Sequence, residues 1–497
     1  MTTPRTIRTT GRPAPAFLDS PRGHFIDGRE EAPADGTSLP TIDPTTEQKL
    51  TDIAVGGRTD VDRAVAAARR AFEAPSWAAL APERRSRVLH QIAEVIEAHA
   101  EELATLDSLD MGGPISGTRW MVEHTVEVFR HYAGWPTRIY GTTAPSTPAQ
   151  FKYTTRRPLG VVVAIAGWNG PLLQMGYKLA PALATGNTVV AKPSEQTSLS
   201  LLRLAELVHA HTDLPDGVLN VVTGPGASTG ELLITHPDVD KVSFTGSTAV
   251  GKHVLEASTG NLKRVTLELG GKSPFIVFDD ADLDAAAAAA ALGFCAGSGQ
   301  GCVASTRILV QENVREEFTR LLTAQLEAYA QTMGDPFDPA TVMGPLASRG
   351  HYEKVTGYID LARELGGTVS GPDPRDADGL FVAPALVTGL DNSSRIAQEE
   401  IFGPVSLLTG FTEADEAVRI ANDTPYGLAA TVFTRDLTRA HDTAERLQAG
   451  TVWVNTVNDM STGPLPFGGM KQSGIGREHG PDVIDSYTET KAVVVNL

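Results

Sequence analysis

One thiol in the sequence has the surroundings of a candidate nucleophile. Cys302 lies in the segment GQGCV, residues 299–303, where the glycines leave room for a substrate to approach the sulfur. An inert buried cysteine more often lies among Leu, Ile and Val. Only one other cysteine, Cys295, is present, without a Cys or His cluster beside it, so neither a disulfide framework nor a metal site is expected. By itself, the thiol leaves a nucleophile and an inert cysteine as open interpretations.

Two polar residues follow strand-like runs and could assist such a thiol. Glu268 ends a β-branched run and precedes a Gly-Gly turn, so its carboxylate would face the ligand crevice of a parallel sheet. Its leucine neighbours predict a general base with a pKa raised by burial, against the alternatives of an edge ion pair or a helix cap. Asn169 follows the run of residues 160–166 and could donate to an oxyanion. Taken alone, it is explained more simply by an Asx turn before a helix.

Three further segments have features of a dinucleotide site. Lys192 and Glu195 follow the second apolar run, where an acid suits ribose hydroxyls, although a capped loop would look the same. Residues 224–230 are close to a glycine-rich fingerprint, but Thr229 stands where glycine is required. Residues 244–248 open a helix whose first amides could hold a pyrophosphate or could form an ordinary N-cap. The order of these segments along one scaffold, rather than any single segment, favours a dinucleotide.

The elements that would position these residues alternate between strand and helix. Helical patterns separate apolar runs at residues 160–166, 187–191, 218–222, 241–244 and 264–267. Continuous β-branched runs with helical spacers are typical of strands buried on both faces. The pattern therefore predicts an α/β fold with a doubly wound parallel sheet, followed by a second alternating unit over residues 274–454.

The flanking segments are different in character. Residues 1–21 predict a disordered tail, while residues 139–143 and 150–155 are short, weakly apolar and β-prone. Residues 491–495 look like an edge strand that needs a partner. We expect an exposed ribbon that pairs with another subunit.

Composition excludes several classes of function. Among 497 residues, 42 are basic and 60 acidic, giving a net charge of −18, which argues against binding to nucleic acid or to a membrane surface. The sequence has no apolar run of about 18 residues that would span a membrane. With so few cysteines, a reducing compartment and a cytoplasmic location are expected.

Together these segments resemble the NAD(P)-dependent aldehyde dehydrogenase superfamily, from about Phe25 to the C-terminus. The resemblance rests on LELGGKSP, FTGS, GQGC, EEIFGP and PFGG, at residues 267–274, 244–247, 299–302, 399–404 and 466–469. It implies a Rossmann-like NAD-binding domain (22–135 and 157–269), an α/β catalytic domain (270–471) and a small β oligomerisation element (136–156 and 484–497). A homodimer or homotetramer acting on a small-molecule aldehyde would follow.

The same resemblance implies roles for individual residues. Cys302 would be the nucleophile, and Glu268 the base that activates the deacylating water. Asn169 would form the oxyanion hole with the backbone N–H of Cys302, and Lys178 would belong to a proton-release path. The cofactor NAD would be held by Lys192 and Glu195 at the adenosine ribose, by Trp168, Gly226, Gly246 and Ser247 around adenine and pyrophosphate, by Phe244, and by Glu400 and Phe402 at the nicotinamide.

Small residues replace larger ones near the expected substrate tunnel. Gly167 and Gly170 stand where the family commonly has Pro and an aromatic residue, and Gly301 and Val303 flank the nucleophile. We expect a widened tunnel that accepts a bulky apolar or terpenoid-like aldehyde, lined by Met460, Leu465, Tyr177 and Gln174. The Glu195 carboxylate would repel a 2′-phosphate, which predicts NAD⁺ rather than NADP⁺.

Two alternatives to this function remain open. A CoA-acylating semialdehyde dehydrogenase usually lacks a glutamate at the position of Glu268. A non-catalytic protein on the same scaffold would be expected to lose the thiol or the base, and both are present.

Overall fold

The computed structural model describes residues 11–375, 378–459 and 465–497. Its first strands are β1 (His24–Ile26), β2 (Arg29–Glu31), β3 (Ser38–Asp43) and β4 (Gln48–Ala54). A helical layer follows, made of α1 (Arg58–Glu73), α2 (Pro75–Ala78), α3 (Pro82–Ala98), α4 (Ala100–Met111) and α5 (Ile115–Ala133). His99 leaves the helical conformation, with φ −113° and ψ 19°, and so separates α3 from α4.

The alternating region forms the expected parallel sheet. Its strands follow a ribbon strand, β5 (Gln150–Pro158), and are β6 (Val161–Ile165), β7 (Thr188–Lys192), β8 (Leu219–Val221), β9 (Lys241–Thr245) and β10 (Arg264–Glu268). The intervening helices are α6 (Pro171–Ala184), α7 (Leu199–His211), α8 (Glu231–Ile234) and α9 (Thr248–Ala257). The strand order is β10-β9-β6-β7-β8, continued by antiparallel β1 and β2. Residues of β6, β7 and β8 are buried throughout, as strands covered on both faces must be.

The second alternating region forms a separate sheet with its own core. Its strands are β11 (Pro274–Val277), β12 (Arg307–Gln311), β13 (Thr368–Ser370), β14 (Ala385–Thr388), β15 (Val405–Phe411), β16 (Ala429–Phe433) and β17 (Thr451–Val454). Its helices are α10 (Leu283–Cys295), α11 (Arg315–Gln331), α12 (Arg349–Glu364), α13 (Arg395–Gln398), α14 (Ala414–Asn422) and α15 (Leu437–Arg446). The order β13-β14-β15-β12-β11-β16-β17 is parallel except at β13. The predicted α/β fold class is confirmed.

The C-terminal residues join two parts of the fold. Strand β18 (Gly474–Ile475) adds antiparallel to β10, and after α16 (Val483–Ser486) the strand β19 (Thr488–Asn496) pairs antiparallel with β5 along its whole length. The predicted edge strand and the predicted ribbon are therefore partners within one chain. Residues 139–143 were expected to be a second β piece, but they contribute an isolated bridge between Thr143 and Tyr153.

Part of the expected disordered tail is ordered. Phe17 is buried within a short helical turn, Ala16–Leu18, and Arg12 forms ion pairs with Asp43 at 3.0 Å and Asp335 at 3.2 Å. The expectation for residues 1–21 is therefore wrong from residue 11 onward, because a buried aromatic ring and paired charges hold this segment. Residues 1–10 and the predicted tunnel residue Met460 lie outside the described residues.

Within the described part of the chain, no helix is long and apolar enough to cross a membrane.

Candidate active site

A cavity of about 330 Å³ lies at the carboxyl edge of the first sheet and is also lined by residues of the second alternating region. The lining includes three of the four predicted catalytic residues and all of the predicted cofactor residues: Cys302, Glu268, Asn169, Trp168, Lys192, Glu195, Gly226, Phe244, Gly246, Ser247, Glu400 and Phe402. The fold thus brings together residues that the sequence separates widely. Their individual roles stay predictions.

Parallel register explains why these residues meet. Glu268 is the last residue of β10 and lies opposite Thr245, the last residue of β9. Lys192 ends β7 opposite Ile165, the last residue of β6, and Asn169 comes four positions after Ile165. Since parallel strands end at the same edge of a sheet, their terminal residues open onto one crevice.

The candidate nucleophile sits in a loop that glycine makes accessible. Helix α10 ends at Cys295, and the next turn carries left-handed residues, including Gly297 at φ 56° and Gly299 at φ 70°. A Cβ at Gly271 would lie 2.4 Å from the carbonyl oxygen of Cys302, so the glycine permits this close approach. Cys295 is fully buried in the second core, whereas Cys302 is partly exposed.

The surroundings of the thiol oppose its ionisation. Burial, the largest cause, together with the charges of Glu400 and Glu268 raises the pKa of Cys302 to about 12. A cavity in this state holds the sulfur as a neutral thiol. Activation therefore requires a base or a positive charge brought close to the sulfur.

Glu268 has the environment of a base rather than of an ion pair. Burial raises its pKa well above the usual range, Glu478 adds to the effect, and the charges of Lys178 and Arg477 oppose it. Its Oε2 has no hydrogen-bond partner among the described residues. A buried carboxyl group with an open lone pair can accept a proton from a thiol or from a water molecule.

Lys178, the fourth predicted catalytic residue, is not among the described residues that line the cavity, but its charge acts on Glu268. Its Nζ is fully buried and 2.5 Å from Oε1 of Glu478. Sequence analysis missed Glu478, which lies 300 residues away along the chain. Its backbone is held by reciprocal hydrogen bonds with Phe467, at 2.7 Å each. No local sequence pattern identifies a carboxylate whose ion-pair partner lies so far away along the chain.

Asn169 does not form the Asx turn that its local sequence favours. Its Nδ2 donates to the carbonyl oxygen of Gln300 at 2.9 Å, two residues before Cys302. Its Oδ1 accepts from Nε2 of Gln174 at 2.7 Å. The Oε1 of Gln174 in turn accepts from the backbone N–H of Gly167 at 2.8 Å. The amide of Asn169 is therefore tied to the nucleophile loop, and one of its N–H groups stays open for a substrate oxygen.

One end of the cavity has groups suited to a ribose. Lys192 Nζ donates to the carbonyl oxygen of Pro193 at 3.0 Å and lies 3.9 Å from Glu195. Burial lowers the pKa of Lys192 to about 8, and the charge of Glu195 opposes this shift. The Glu195 carboxylate is 39% exposed and free to accept hydrogen bonds from hydroxyl groups.

The start of α9, next to Lys192 and Glu195 in the cavity, differs in one respect from the predicted pyrophosphate site. Ser247 caps α9, with its side chain accepting from the backbone N–H of Val250. The backbone N–H of Gly246 was expected to be free for a pyrophosphate, but it donates to the carbonyl oxygen of Glu268 at 3.0 Å. What Gly246 provides instead is space, because a Cβ there would lie 2.5 Å from the ring of Phe244.

An aromatic cluster lines the other end. The ring of Trp168 lies 5.2 Å from those of Phe402 and His351, and Phe402 has a left-handed backbone with φ 65°. His351 Nε2 donates to the carbonyl oxygen of Phe402 at 2.7 Å, and burial lowers the His351 pKa to about 4. This neutral ring therefore keeps Nδ1 as an acceptor. Sequence analysis missed His351, which lies on α12 without a local signal.

Glu400 is fixed beside the same cluster. Its Oε1 accepts from the backbone N–H of Gly271 at 2.9 Å, and a Cβ at Gly270 would lie 2.4 Å from its Oε2. Gly270 therefore packs against Glu400, whereas Gly271 contacts both Glu400 and the Cys302 loop. Their tight packing places the nucleophile loop and the acidic residue at fixed positions relative to Glu268.

Comparison with known proteins agrees with this fold. Residues 31–493 match the family model described as "Aldehyde dehydrogenase family", and the chain belongs to this family. It is 44% identical over 478 residues to the NADP/NAD-dependent aldehyde dehydrogenase PuuC of Escherichia coli (strain K12), covering 95% of each chain. It is 42% identical over 484 residues to the putative aldehyde dehydrogenase DhaS of Bacillus subtilis (strain 168), covering 97% of each.

Solved structures show the same architecture. A putative aldehyde dehydrogenase from Burkholderia cenocepacia superposes with a TM-score of 0.91 at 44% identity, covering 96% of this chain and 97% of that one. The betaine aldehyde dehydrogenase of Staphylococcus aureus, in complex with NAD⁺, superposes with a TM-score of 0.92 at 38% identity, covering 96% and 95%. The resemblance inferred from sequence motifs is confirmed.

Proposed function

We propose that the protein oxidises an aldehyde to a carboxylic acid with NAD⁺, through a covalent intermediate on Cys302. The observation that carries this proposal is the meeting of the Cys302 thiol, the Glu268 carboxyl group and the Asn169 amide on one cavity that also contains every predicted cofactor residue. Three groups of these types, converging on one carbonyl, suit attack by a thiol, stabilisation of the resulting oxyanion and hydrolysis of an acyl group.

The residues present fit a dinucleotide. The lining of the cavity combines the exposed Glu195 carboxylate, the capped start of α9 and the aromatic cluster around Phe402. Ribose, phosphate and nicotinamide groups would find a carboxylate, a helix N-terminus and aromatic faces in that order. When bound, NAD⁺ supplies the acceptor for the hydride that leaves the substrate carbon.

The first chemical step belongs to Cys302. Its raised pKa requires that the thiol proton leave through water to the solvent as the sulfur bonds to the aldehyde carbon, so Glu268 is still deprotonated when hydrolysis begins. The carbonyl oxygen then becomes an oxyanion, and the Asn169 amide and the backbone N–H of Cys302 donate to it. Removing one such donor typically slows a reaction by about 100- to 1000-fold.

Hydrolysis of the acyl-enzyme belongs to Glu268. After hydride loss the acyl group remains on Cys302 as a thioester, and Glu268 takes a proton from the attacking water molecule. The sulfur leaves as the acid forms, and the proton on Glu268 passes outward past the Lys178–Glu478 pair. Since the pKa of Glu268 is raised, its active, deprotonated form is lost as pH falls through that pKa. Turnover is therefore expected to fall as pH falls through the raised pKa of Glu268.

Cofactor choice follows from the ribose end of the cavity. The Glu195 carboxylate favours a ribose 2′-hydroxyl over a 2′-phosphate, so we expect NAD⁺ to be preferred over NADP⁺. The relative PuuC is named as using both cofactors. The ratio of kcat/KM values with the two cofactors measures this preference.

The substrate is proposed to be a bulky apolar aldehyde. A Cβ at Gly170 would have Met121 and Gln174 as its nearest neighbours, at 3.7 Å or more, and a Cβ at Gly301 would meet no atom within 4 Å. This space beside the nucleophile favours a wide substrate such as a terpenoid-like aldehyde. The presence of Glu268 favours water over CoA as the acyl acceptor.

An aldehyde panel with NAD⁺ tests the proposal. We expect NADH formation, with the largest kcat/KM for bulky apolar members and without a requirement for CoA. Cys302→Ala should abolish it, while Glu268→Gln should release a burst of NADH and then stall as the acyl-enzyme. Steady turnover by either variant would refute the assignment, and a strict requirement for CoA would favour the acylating alternative.

We also propose that the protein is a cytoplasmic homodimer or homotetramer that associates through the β5–β19 ribbon. Apolar side chains remain exposed there, with Val494 at 60% and Leu497 at 81%. Exposed apolar strands are typical of surfaces that pair with another chain. Light scattering coupled to gel filtration tests this, and a monomer at micromolar concentration would contradict it.

A further inference from the structure

We propose that Gln174 is a positioning residue that fixes which way the Asn169 amide faces. The proposal deepens the function proposed above and rests on it. Gln174 lies in the first turns of α6, where its backbone N–H donates to the carbonyl oxygen of Gly170 at 2.9 Å. From this fixed position its side chain reaches back to Gly167 and Asn169, in the loop that follows β6.

Three hydrogen bonds run in one direction through this group. The backbone N–H of Gly167 donates to Gln174 Oε1, Gln174 Nε2 donates to Asn169 Oδ1, and Asn169 Nδ2 donates to the carbonyl oxygen of Gln300. The first group can only donate and the last can only accept. Both side-chain amides must therefore take the orientation that matches these two backbone groups.

Reversal of either amide has a clear cost. A flipped Gln174 would set its NH₂ against the N–H of Gly167 and its oxygen against Oδ1 of Asn169. A flipped Asn169 would set its oxygen against the carbonyl of Gln300 and would turn the same atom toward the substrate oxygen. Since an asparagine amide is nearly symmetric in shape, hydrogen bonding rather than packing decides its orientation.

This orientation matters for the oxyanion. With Nδ2 directed at the nucleophile loop, its second N–H can donate to the oxygen of the substrate bonded to Cys302. With Oδ1 there instead, two acceptors would meet and the developing charge would be repelled. Gln174 thus acts on the reaction through Asn169 without touching the reacting atoms.

Two substitutions of Gln174 separate the loss of its hydrogen-bond donor from a change in side-chain volume. Gln174→Met keeps the length and removes both polar atoms, which leaves Asn169 held by Gln300 alone, so we expect kcat to fall by about threefold to tenfold. Gln174→Glu still accepts from Gly167 but, ionised, presents an acceptor to Oδ1 and so favours the flipped Asn169. It should lower kcat by about 100-fold, like the loss of an oxyanion donor. Gln331→Glu, at the exposed end of α11, is the charge-matched control and should match wild type.

A double-mutant cycle with Asn169→Ala tests whether Gln174 affects kcat through Asn169. If Gln174 acts through Asn169, adding Gln174→Glu to Asn169→Ala should cause no further loss of kcat. The dissociation constant for NAD⁺, measured by fluorescence titration, should stay within about twofold of wild type in every variant. Multiplicative losses, or a Gln174→Glu variant as active as Gln331→Glu, would overturn the proposal. If Gln174→Glu does not fold, the same cycle with Gln174→Met decides.

Ester hydrolysis tests the role of Gln174 independently of the proposed aldehyde oxidation. Cleavage of p-nitrophenyl acetate by the Cys302 thiol passes through an oxyanion without needing hydride transfer. We expect its rate to fall in parallel with kcat across the variants. Failure of the wild-type protein to oxidise any aldehyde would refute the proposed function, whereas uncoupled effects of Gln174 and Asn169 on ester cleavage would refute the role of Gln174.

Discussion

Replacing Lys178 by methionine should destabilise the protein strongly, because it leaves a buried carboxylate without its cation. Lys178 is fully buried, Glu478 is 7% exposed, and their charged atoms are 2.5 Å apart. Methionine has a similar length, so little packing is lost. Removing one partner of a buried ion pair typically costs about 3–5 kcal/mol of the free energy of unfolding.

A neighbouring lysine, Lys241, limits the expected loss in the free energy of unfolding. Burial, with a smaller contribution from the charge of Lys178, lowers the pKa of Lys241 to about 7, while the charge of Glu478 opposes the shift. Without Lys178, Lys241 becomes easier to protonate and can partly replace the missing charge. We therefore expect a loss near the lower limit, about 3 kcal/mol.

Urea unfolding at pH 7, followed by tryptophan fluorescence at one fixed protein concentration, measures this loss. Lys49→Met is the matched control, since Lys49 lies at the same 2.5 Å from Asp52 but is 53% exposed. Breaking such a surface pair costs about 0–1 kcal/mol. The double variant Lys178→Met/Glu478→Gln should regain much of the lost stability, because the stranded charge is gone.

Two results would refute this reasoning. If Lys178→Met and Lys49→Met lower the free energy of unfolding by the same amount, burial does not increase the contribution of the Lys178–Glu478 ion pair to stability. If the double variant is less stable than Lys178→Met, the loss comes from packing and not from an unpaired carboxylate.

Three further predictions concern the cavity. Because the pKa of Cys302 is raised to about 12, alkylation of the cofactor-free enzyme by iodoacetamide should speed up about tenfold per pH unit between pH 7 and pH 9, and a plateau in that interval would contradict it. Gly271→Ala would place a Cβ 2.4 Å from the Cys302 carbonyl oxygen and should lower kcat by about 100-fold, while Gly350→Ala, with no atom within 4 Å, serves as the control and should not change it. Glu195→Gln removes a repulsion of about 1 kcal/mol and should raise kcat/KM for NADP⁺ relative to NAD⁺ roughly fivefold; an unchanged ratio would show that this carboxylate does not select the cofactor.

The parallel sheet and the residues along its carboxyl edge could be predicted from the amino-acid sequence alone. Runs such as residues 160–166 and 241–244 differ from β6 and β9 by no more than one residue at either end, because burial on both faces selects β-branched residues locally. The segments around Cys302 and Glu268 were recognisable for a related reason. Their glycines are required by contacts such as that of Gly271 with the Cys302 carbonyl, which leave a compact local motif.

The side chains that act on those residues can be identified only from the folded chain. The partner of Lys178 comes from 300 residues further along the chain, and His351 reaches the cavity from a helix of the second sheet. The direction of the Asn169 amide depends on Gly167, Gln174 and Gln300 together. Hydrophobic periodicity reports whether a residue is buried, but it does not say which polar groups share the same buried space. That pairing is set when the two sheets and the C-terminal segment pack together, and it fixes the charge and orientation of the groups around the thiol.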